Sequence, residues 1–489
     1  MIISLEGIRR AEQRAFNTGI SAESLMADAA AGIAAFLMAT EPEPGIAQIF
    51  PGKGHNGGDA LAAALLLKRA GWTIVLSLTW PEAELAPLTR AHLDAVRTEP
   101  GRLNSPSPTA ARIVIDGLLG AGTRGRARGL VGSAIDEINR LRRAEGCRVL
   151  AIDLPSGLSQ DEHSEQVVEA DWTLCPGAIK DLLVADHATR FVGRLVEIPL
   201  PALTPFLEEE ALPCMEALTP RRLRAALPPR CFDLHKGAAG KVALVAGSPG
   251  MTGAAVLAAL GALRGGAGLV TLFTVADSVQ TVARKAPPEV MVRPFVVSKA
   301  DWSAYDAVGF GPGLGTFARS WLGVIRDCPL PTVIDADGLN ALAERGPLEL
   351  HRQPQLLTPH PVEFARLAPD LAHLPRKEAA QAFVQRYPHA TLLLKGARSI
   401  VADTQSLAFN TTGSPGLATP GIGDLLTGVA TALLAAGLTP TTAARVASWT
   451  VGRAAELAIA HAESEESLHA TAVAEMLGRA FKSLRSGWV

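Results

Sequence analysis

The run Gly421-Ile422-Gly423-Asp424 places two glycines and a carboxylate directly before an apolar helical pattern at residues 425–438. Such a turn at the start of a helix points backbone N–H groups along the positive end of the helix dipole, which favours an anion such as phosphate. Asp424 would then lie beside the anion, placed to take a proton from a hydroxyl that attacks phosphorus. An ordinary helix start with an acidic first turn fits the same pattern.

Polar and glycine-rich segments also follow predicted strands in the second half of the chain. We predict strands at residues 242–246, 269–274, 307–310, 332–334, 355–357 and 392–394. Segments that can carry chemistry follow five of them, at residues 247–250, 311–315, 335–338, 358–361 and 395–397. Because ligands on open α/β sheets bind at the carboxyl ends of strands, these segments are candidate parts of a site.

The first half shows the same alternation of strands and helices. Short β-rich runs at 46–50, 73–78, 112–115 and 148–152 alternate with helical patterns at 60–70 and 131–143. This order predicts right-handed βαβ crossovers and a parallel, doubly wound sheet. Candidate residues again follow the strands, at 52–59, at Asp116 and at 153–157.

A proline-rich segment at residues 200–230 separates the halves and predicts a linker with short helical pieces. The chain has 489 residues, more than one hydrophobic core holds at about 150 residues per domain. We therefore predict two α/β domains, residues 1–212 and residues 213–489.

Composition argues against several classes of protein. A net charge of −2 gives no electrostatic footprint for nucleic acid or an anionic membrane. Five widely spaced cysteines without a CxxC pair argue against a disulfide scaffold and a structural zinc site. We identify no apolar run that approaches the ~18 residues needed to cross a bilayer, and the N-terminal residues predict a helix, not a signal peptide. We expect a soluble, cytoplasmic protein with no nucleic-acid or membrane partner, and a homo-oligomer.

The second half carries six motifs in a fixed order: His235 to Lys241, Gly311 to Gly315, Asp335 to Asn340, Leu357 to Phe364, Lys395 to Ala397, and Gly413 to Asp424. In this order they resemble the ADP-dependent NAD(P)H-hydrate dehydratases, which are similar to ribokinase in fold. The resemblance covers nearly all of residues 220–489. It implies that ADP, with Mg²⁺, phosphorylates the hydroxyl group on the hydrated nicotinamide ring of NADHX or NADPHX, after which phosphate leaves and the double bond returns.

The resemblance also implies the residues of that site. Asp424 is the expected base. Nucleotide contacts are expected from Lys395, Gly396, Ala397, Arg398, Ser399 and Gly423. Contacts to the hydrate are expected from Ala254, Gly313, His360 and Asp424. Ile422 stands where the family has a small hydroxyl residue, but it keeps the backbone N–H that an anion would meet.

The first half resembles the NAD(P)H-hydrate epimerases over residues 1 to about 200, and predicts a Rossmann-like three-layer α/β/α domain. The matching residues are Glu12 to Arg14, Leu25-Met26, Asn56 to Asp59, Asp116 to Gly120, Ile152 to Gly157, and Lys180. An epimerase needs a positioned acid or base at the hydroxyl-bearing carbon, and Asp153 is the best candidate.

The resemblance further implies a K⁺ site made by Asn56, Asp116 and Ser156, whose oxygen atoms suit a large hard cation. Substrate contacts, including those to its phosphates, are expected from His55, Asn56, Gly57, Gly58, Asp59, Gly120, Ala121, Gly122, Thr123, Arg124, Gly125, Arg126 and Asp153. Arg124 and Arg126 suit phosphates through charge-assisted hydrogen bonds.

Together the halves predict a bifunctional repair enzyme that epimerises the R and S hydrates and dehydrates the S form. Two alternatives stay open at this point. The second half also suits a ribokinase-like kinase of a vitamin precursor alcohol. The first half also suits a non-catalytic binding module, since His55 replaces a usual Asn and the Ala60 methyl could crowd a substrate.

Single residues have alternative roles as well: Lys395-Gly396 also fits a surface turn, and His360 also fits a rigid loop residue. ADP versus ATP, and NADHX versus NADPHX, are not distinguished by sequence.

Overall fold

The computed structural model describes residues 1–104, 111–121, 127–160, 166–345 and 355–487. It divides the chain into two compact units, Met1–Met215 and Glu216–Val489. We describe each unit by itself. The division falls three residues after the boundary expected between residues 212 and 213.

The first unit is built from short strands and helices in alternation. Its strands are β1 (Ile2–Ile3), β2 (Ile46–Pro51), β3 (Thr73–Leu76), β4 (Leu103–Asn104), β5 (Ile113–Gly117), β6 (Arg148–Ile152), β7 (Trp172–Pro176), β8 (Ile179–Lys180) and β9 (Arg194–Ile198). Its helices are α1 (Leu5–Asn17), α2 (Ala22–Thr40), α3 (His55–Arg69), α4 (Pro87–Thr98), α5 (Leu130–Glu145), α6 (Thr189–Val192) and α7 (Thr204–Glu210).

Within the described residues, seven of these strands form one parallel sheet in the order β4-β3-β2-β5-β6-β7-β9. The consecutive β5 residues Ile113, Val114 and Ile115 are all fully buried, although successive side chains of a strand point to opposite faces. Both faces of the sheet are therefore covered, as the doubly wound prediction requires. A second, two-stranded parallel sheet pairs β1 with β8 and places Ile3 opposite Lys180.

The second unit has longer helices. Its strands are β10 (Met215–Leu218), β11 (Lys241–Val245), β12 (Leu269–Thr274), β13 (Val290–Pro294), β14 (Ala307–Phe310), β15 (Thr332–Ile334), β16 (Gln355–Leu357), β17 (Ala390–Leu394), β18 (Ile400–Ala402) and β19 (Leu407–Asn410). Its helices are α8 (Pro220–Leu223), α9 (Thr252–Arg264), α10 (Val279–Lys285), α11 (Phe317–Arg326), α12 (Asp337–Glu344), α13 (Pro361–Leu367), α14 (Arg376–Arg386), α15 (Ile422–Ala435), α16 (Pro440–His461) and α17 (Ala470–Ser486).

Among the residues described, ten strands form one sheet in the order β10-β19-β18-β17-β16-β15-β14-β11-β12-β13. Neighbouring strands in the run β17-β16-β15-β14-β11-β12-β13 pair in parallel, whereas β18 pairs antiparallel with both of its neighbours, β17 and β19. Parallel order places the carboxyl ends of β11, β14, β15, β16 and β17 at one edge. The segments predicted to carry chemistry follow those strands.

The proline-rich segment contains short helices, α7 and α8, as expected, and also a strand, β10, that was not expected. Proline is tolerated beside β10 because it is an edge strand, and no residue of β10 is proline. Another expectation, that no apolar run approaches the length needed to cross a bilayer, was wrong. The described residues contain one helix long and apolar enough to cross a membrane by length and composition, α2, with 19 residues. The sequence pattern hid it because Glu23 and Asp28 interrupt the run. Its residues Ile33, Ala34 and Leu37 are buried, so one face of α2 belongs to the core of the unit.

Helix α15 packs very closely along α9 because glycines lie at the contact. A Cβ on Gly428 would lie 1.9 Å from the carbonyl oxygen of Ala258, and a Cβ on Gly261 would lie 2.2 Å from that of Leu425. Backbone therefore meets backbone on both sides of this contact. The first turn of α15 holds Asp424, so this packing sets where that carboxylate lies.

We predict that Gly428→Ala lowers the free energy of unfolding by about 2 kcal/mol or more, because the added methyl overpacks a backbone contact. The matched control is Gly478→Ala in α17, where an added Cβ has no neighbour within 4 Å. The control should raise stability by up to about 1 kcal/mol, through helix propensity alone. Denaturant unfolding followed by circular dichroism measures both. Equal stability of the two variants would contradict the close-packing account.

Candidate active sites

The first turn of α15 forms one wall of the site in the second unit. Its N-cap residue Gly421 has a φ of +89°, a left-handed conformation that glycine adopts without steric cost. The first amide groups of a helix have no partner within it and lie at the positive end of its dipole. The Ile422 side chain packs against the hydrophobic core. The surface offered to an anion at this turn is therefore backbone.

Asp424 is in this first turn and keeps part of its surface exposed. Burial raises its pKa to about 7, the carboxylates of Asp335, Asp337 and Glu363 add to the rise, and the Lys395 ammonium opposes it. A carboxyl group with such a pKa exchanges its proton near neutral pH, which is what a general base requires.

Lys395 follows β17, and its ammonium turns toward α15. Its Nζ lies 2.8 Å from Oδ1 of Asp335 and 3.8 Å from Oε2 of Glu363. A Cβ on Gly423 would lie 3.4 Å from the same Nζ. Burial alone would lower the pKa of Lys395, but the two carboxylates outweigh it and raise that pKa above its ordinary value. The structure thus brings Lys395 and Gly423 together beside Asp424.

The other predicted nucleotide residues form the connection between the antiparallel strands β17 and β18. Gly396 and Ala397 are exposed, and the Ser399 hydroxyl donates to the carbonyl of Gly396 at 3.2 Å. Arg398 is buried, and its guanidinium donates to the carbonyl of Asn410 at 3.2 Å. The connection is a turn, as the alternative interpretation of Lys395-Gly396 held. The Arg398 side chain bonds to the backbone of β19, so it is the exposed backbone of the loop that a ligand can contact.

One arginine that the sequence did not single out holds this loop. The guanidinium of Arg376 donates to the carbonyl oxygens of Leu394, Lys395 and Arg398 at 3.3, 3.3 and 3.1 Å. Its position 19 residues before Lys395 carries no recognisable pattern. The role becomes visible only when α14 packs beside β17.

His360 is the N-cap residue of α13. The ring Nδ1 of His360 accepts from the backbone N–H groups of Val362 and Glu363, at 3.1 and 3.3 Å. The backbone N–H of His360 donates to Oε2 of Glu363 at 2.8 Å. This reciprocal arrangement is a capping box. His360 therefore makes the local hydrogen bonds of the alternative interpretation, while its ring stays half exposed and can still meet a ligand.

Gly313 and Ala254 lie together at the next part of the sheet edge. Gly313 has a φ of +61°, and a Cβ there would lie 2.8 Å from the Cβ of Ala254 and 2.7 Å from the carbonyl oxygen of Met251. The Ser248 hydroxyl donates to the carbonyl of Gly313 at 2.9 Å. Both conformation and space require glycine here, whether or not a ligand binds.

Asp153 is the central carboxylate of the first unit. It follows β6 with a φ of +70°, a strained conformation for a residue with a side chain. Its Oδ2 accepts from the backbone N–H of Ala121 at 2.7 Å, and a Cβ on Gly120 would lie 3.0 Å from that oxygen. Gly120, Ala121 and Asp153 are thus brought together. Gly122, Thr123, Arg124, Gly125 and Arg126 lie outside the described residues.

Lys180 pairs with Asp153 from the other side. Only 1% of the Lys180 side chain is exposed, and pairing between β1 and β8 holds its backbone. Burial alone would lower the pKa of Lys180, but the Asp153 carboxylate outweighs it and raises that pKa above its ordinary value. The sequence motif contained Lys180 without showing its partner.

Two further carboxyl groups, those of Asp59 and Glu12, interact with this pair. Desolvation raises the pKa of Asp59 well above its ordinary value, and the charges of Asp153 and Glu12 add to the rise. Desolvation likewise raises the pKa of Glu12, with Asp153 again contributing. Three carboxyl groups near one lysine can hold a shared proton. Glu12 matched the epimerase motif, but its place beside Asp153 depends on how α1 packs.

Ser156 bonds directly to Asp116, and the backbone of Leu119 links Ser156 to Asn56. The Ser156 hydroxyl and amide donate to Asp116 at 2.6 and 2.8 Å, and the Asn56 side-chain amide donates to the carbonyl of Leu119 at 2.9 Å. Burial raises the pKa of Asp116 to about 6. The Oδ1 of Asn56 is buried and accepts no hydrogen bond from any described residue. An unpartnered amide oxygen, in a residue that Leu119 links to a buried carboxylate and a hydroxyl, fits an oxygen-ligated cation.

The glycine-rich turn at residues 54–59 is explained largely by packing. A Cβ on Gly57 would lie 1.9 Å from the carbonyl oxygen of Gly52, and one on Gly58 would lie 2.4 Å from Cε of Met26. His55 is exposed at the start of α3. Ala60 is fully buried, and its Cβ faces Gly117. The concern that its methyl crowds a substrate was therefore wrong, because the methyl points into the unit.

Comparisons with known proteins agree with this geometry. A protein-family model described as NAD(P)H-hydrate dehydratase matches residues 242–479, and one described as YjeF-related protein N-terminus matches residues 22–182. The bifunctional NAD(P)H-hydrate repair enzyme of Gloeobacter violaceus is 35% identical over 478 residues, covering 92% of this chain and 91% of that protein. The chain belongs to the bifunctional NAD(P)H-hydrate repair enzymes.

Two further relatives support membership of this repair family. The Escherichia coli bifunctional NAD(P)H-hydrate repair enzyme is 31% identical over 457 residues, covering 90% of this chain and 86% of that protein. The ADP/ATP-dependent NAD(P)H-hydrate dehydratase from Bacillus subtilis, co-crystallized with ATP/Mg²⁺, is 29% identical with a TM-score of 0.50, covering 55% of this chain and 98% of that one. The resemblances of both halves and the two-domain α/β fold class, with a ribokinase-like second domain, are confirmed.

We predict that Lys180→Met destabilises the protein by about 3 kcal/mol, because it leaves the Asp153 carboxylate, which is 17% exposed, without the fully buried cation that pairs with it. Adding Asp153→Asn should recover part of this loss, since no unpaired charge then remains. The control is Lys53→Met, because Lys53 pairs with Glu84 at 3.8 Å while more than half exposed. The control should cost about 1 kcal/mol or less. A double variant less stable than Lys180→Met would contradict the pairing, as measured by denaturant unfolding.

Proposed function

We propose that this chain repairs the hydrated forms of NADH and NADPH. The first unit interconverts the R and S hydrates, and the second unit dehydrates the S hydrate with ADP. The observation that carries the proposal is the position of Asp424, which lies in the first turn of α15 beside Gly423 and the ammonium of Lys395. A base, a helix N-terminus and a cation around one point are what phosphoryl transfer to a hydroxyl requires.

In the dehydration, Asp424 takes the proton of the ring hydroxyl as its oxygen attacks the terminal phosphorus of ADP. The bond from that phosphorus to the AMP oxygen breaks, and the α15 amides and Lys395 stabilise charge on the transferring group. The carbon–oxygen bond of the phosphorylated hydrate then breaks, since phosphate is a far better leaving group than hydroxide. The neighbouring ring carbon gives up a proton to solvent, its C–H electron pair forms the double bond of the reduced nicotinamide, and AMP and phosphate are released.

In the epimerisation, Asp153 acts as the acid or base at the hydroxyl-bearing carbon. The Lys180 ammonium pairs with this carboxylate and holds its orientation, and the backbone N–H of Ala121 donates to its second oxygen. Glu12 and Asp59, with raised pKa values, are placed to exchange a proton with it. Ala60 faces inward, which removes one of the two features that favoured a non-catalytic binding module; the other, His55, is exposed.

We also propose that Asn56, Asp116 and Ser156 hold a K⁺ ion, which the buried, unpartnered Oδ1 of Asn56 supports. Such an ion, when bound, supplies positive charge that stabilises Asp116 and attracts the phosphates of the substrate. In the second unit Mg²⁺ arrives with the nucleotide. A homo-oligomer and a cytoplasmic location stay predictions.

The test is recovery of NADH from a mixture of R- and S-NADHX, with ADP, Mg²⁺ and K⁺, measured faster than spontaneous epimerisation. The wild type should recover all of the NADH in one rapid phase. Asp153→Asn should give a rapid phase that stops at the S fraction. Asp424→Asn should give no NADH but should still equilibrate pure S-NADHX with the R form.

Each catalytic variant should keep the other activity, which shows that the unaltered unit is intact, and denaturant unfolding followed by circular dichroism checks that the altered unit has folded. Asp277→Asn makes the same substitution at an exposed aspartate and should behave as the wild type. Absence of NADH from the wild type with both ADP and ATP would overturn the proposed dehydration. Complete rapid recovery by Asp153→Asn would overturn the assignment of Asp153.

The dehydration should depend on pH through Asp424. Because burial raises the pKa of this carboxyl group to about 7, the group is protonated below that pH and cannot act as a base. We expect kcat/KM for S-NADHX at saturating ADP to rise with pH and level off above about 7. An acid limb of the pH profile near pH 4 would contradict the role of Asp424, because the ordinary pKa of an exposed Asp is about 3.9.

A further inference from the structure

Asp335 is a buried carboxylate to which neither the motifs nor the comparisons give a role. It follows β15 and is 1% exposed. Its Oδ1 lies 2.8 Å from the ammonium of Lys395, and its Oδ2 accepts from the Thr427 hydroxyl at 2.7 Å. Both oxygens are thus engaged by side chains of other elements, so the carboxylate cannot turn without losing a partner.

The position of this carboxylate relates it to the first turn of α15. Its Oδ2 lies 3.5 Å from where a Cβ on Gly423 would be, and the Lys395 Nζ lies 3.4 Å from the same point. Thr427 is one helical turn after Gly423, on the same face of α15. The Asp335–Lys395 pair therefore lies directly against the turn that carries Asp424.

Local backbone strain accompanies this arrangement. Ala336, between Asp335 and Asp337, has a φ of +48°, which an alanine adopts only at a cost in energy. Asp335 turns to Lys395 and Thr427, whereas Asp337 accepts from the backbone N–H of Gly315 at 2.7 Å. The strained residue separates two carboxylates with different partners.

A second carboxylate holds the ammonium from another side. Oε2 of Glu363 lies 3.8 Å from Nζ of Lys395 and accepts the backbone N–H of His360 at 2.8 Å. An ammonium has three N–H donors, and Asp335 is its partner at hydrogen-bond distance. Donors of Lys395 can therefore still meet a phosphoryl oxygen.

We propose that Asp335 is a positioning residue of the dehydratase site: it holds the Lys395 ammonium against the first turn of α15, so that the ammonium and the helix amides meet the same phosphoryl group. This inference rests on the proposed dehydration and deepens it. Lys395 then contacts the transferring group itself, whereas the family resemblance implies only a nucleotide contact.

The electrostatics give this role a signature that a merely structural residue lacks. The charged groups that face Asp424 are Asp335, Asp337 and Glu363, which raise its pKa, and Lys395, which lowers it. Neutralising Asp335 should therefore lower the pKa of Asp424, and neutralising Lys395 should raise it. Two variants of one ion pair should move the acid limb of the pH profile in opposite directions.

The experiment measures kcat, KM and the pH profile of S-NADHX dehydration for the full-length chain with Asp335→Asn and with Lys395→Met. Both variants should lower kcat by about 100-fold, because an aligned charge is lost from the transition state, and should leave KM for the hydrate nearly unchanged. The acid limb should move to lower pH in Asp335→Asn and to higher pH in Lys395→Met. Epimerisation by the first unit checks that each chain is intact.

A milder pair of variants keeps both charges. Thr427→Val removes the hydroxyl that holds Asp335, and Thr427→Ser retains it. We expect Thr427→Val to lower kcat and Thr427→Ser to preserve most of it. Equal kcat in these two, or an Asp335→Asn enzyme with wild-type kcat and an unmoved limb, would overturn the inference. If the wild type itself forms no NADH, the proposed dehydration fails instead, so the two failures are distinguishable.

Discussion

A lysine paired with a carboxylate at the carboxyl end of a parallel strand, with one member of the pair buried, is the interaction on which each unit depends. Lys180 pairs with Asp153 in the first unit, and Lys395 pairs with Asp335 in the second. Charges removed from water are costly unless they have partners, so neither member of a pair is tolerated alone. The pair also keeps each charge in one place, which a catalytic group requires.

The second unit adds a carboxylate without such a partner. Asp424 lies beside the Asp335–Lys395 pair, and burial, with a further rise from the excess of carboxylates over cations there, raises its pKa to about 7. This depends on the depth to which α15 sits in the unit. Glycines at its contact with α9 let the two backbones approach, and Gly421 lets the chain turn sharply into the helix. Backbone packing within about one helical turn of Asp424 therefore helps to set the pKa of the base.

The two proposed reactions need no shared site, because each unit has its own carboxylate, its own lysine and its own sheet edge. A dehydratase specific for the S hydrate would leave the R hydrate unused, so an epimerase on the same chain completes the repair. Both units have strained backbone at these edges. Asp153, the partner of Lys180, has a positive φ. Ala336 also has a positive φ, and it follows Asp335, the partner of Lys395.

The sequence by itself determined the fold class, the strands at 269–274, 307–310 and 148–152, and the place of Asp424 before a helix, because strand alternation and turn chemistry are local properties. It did not reveal β10, β18 or β19, which are short and depend on neighbours for pairing. The partners were decided by tertiary structure alone. Lys180 is 27 residues from Asp153, and Lys395 is 60 residues from Asp335. No local pattern records such a pairing, since the two members come from different strand ends that only the folded sheets bring together: β16 lies between β15 and β17, and β8 belongs to another sheet than β6.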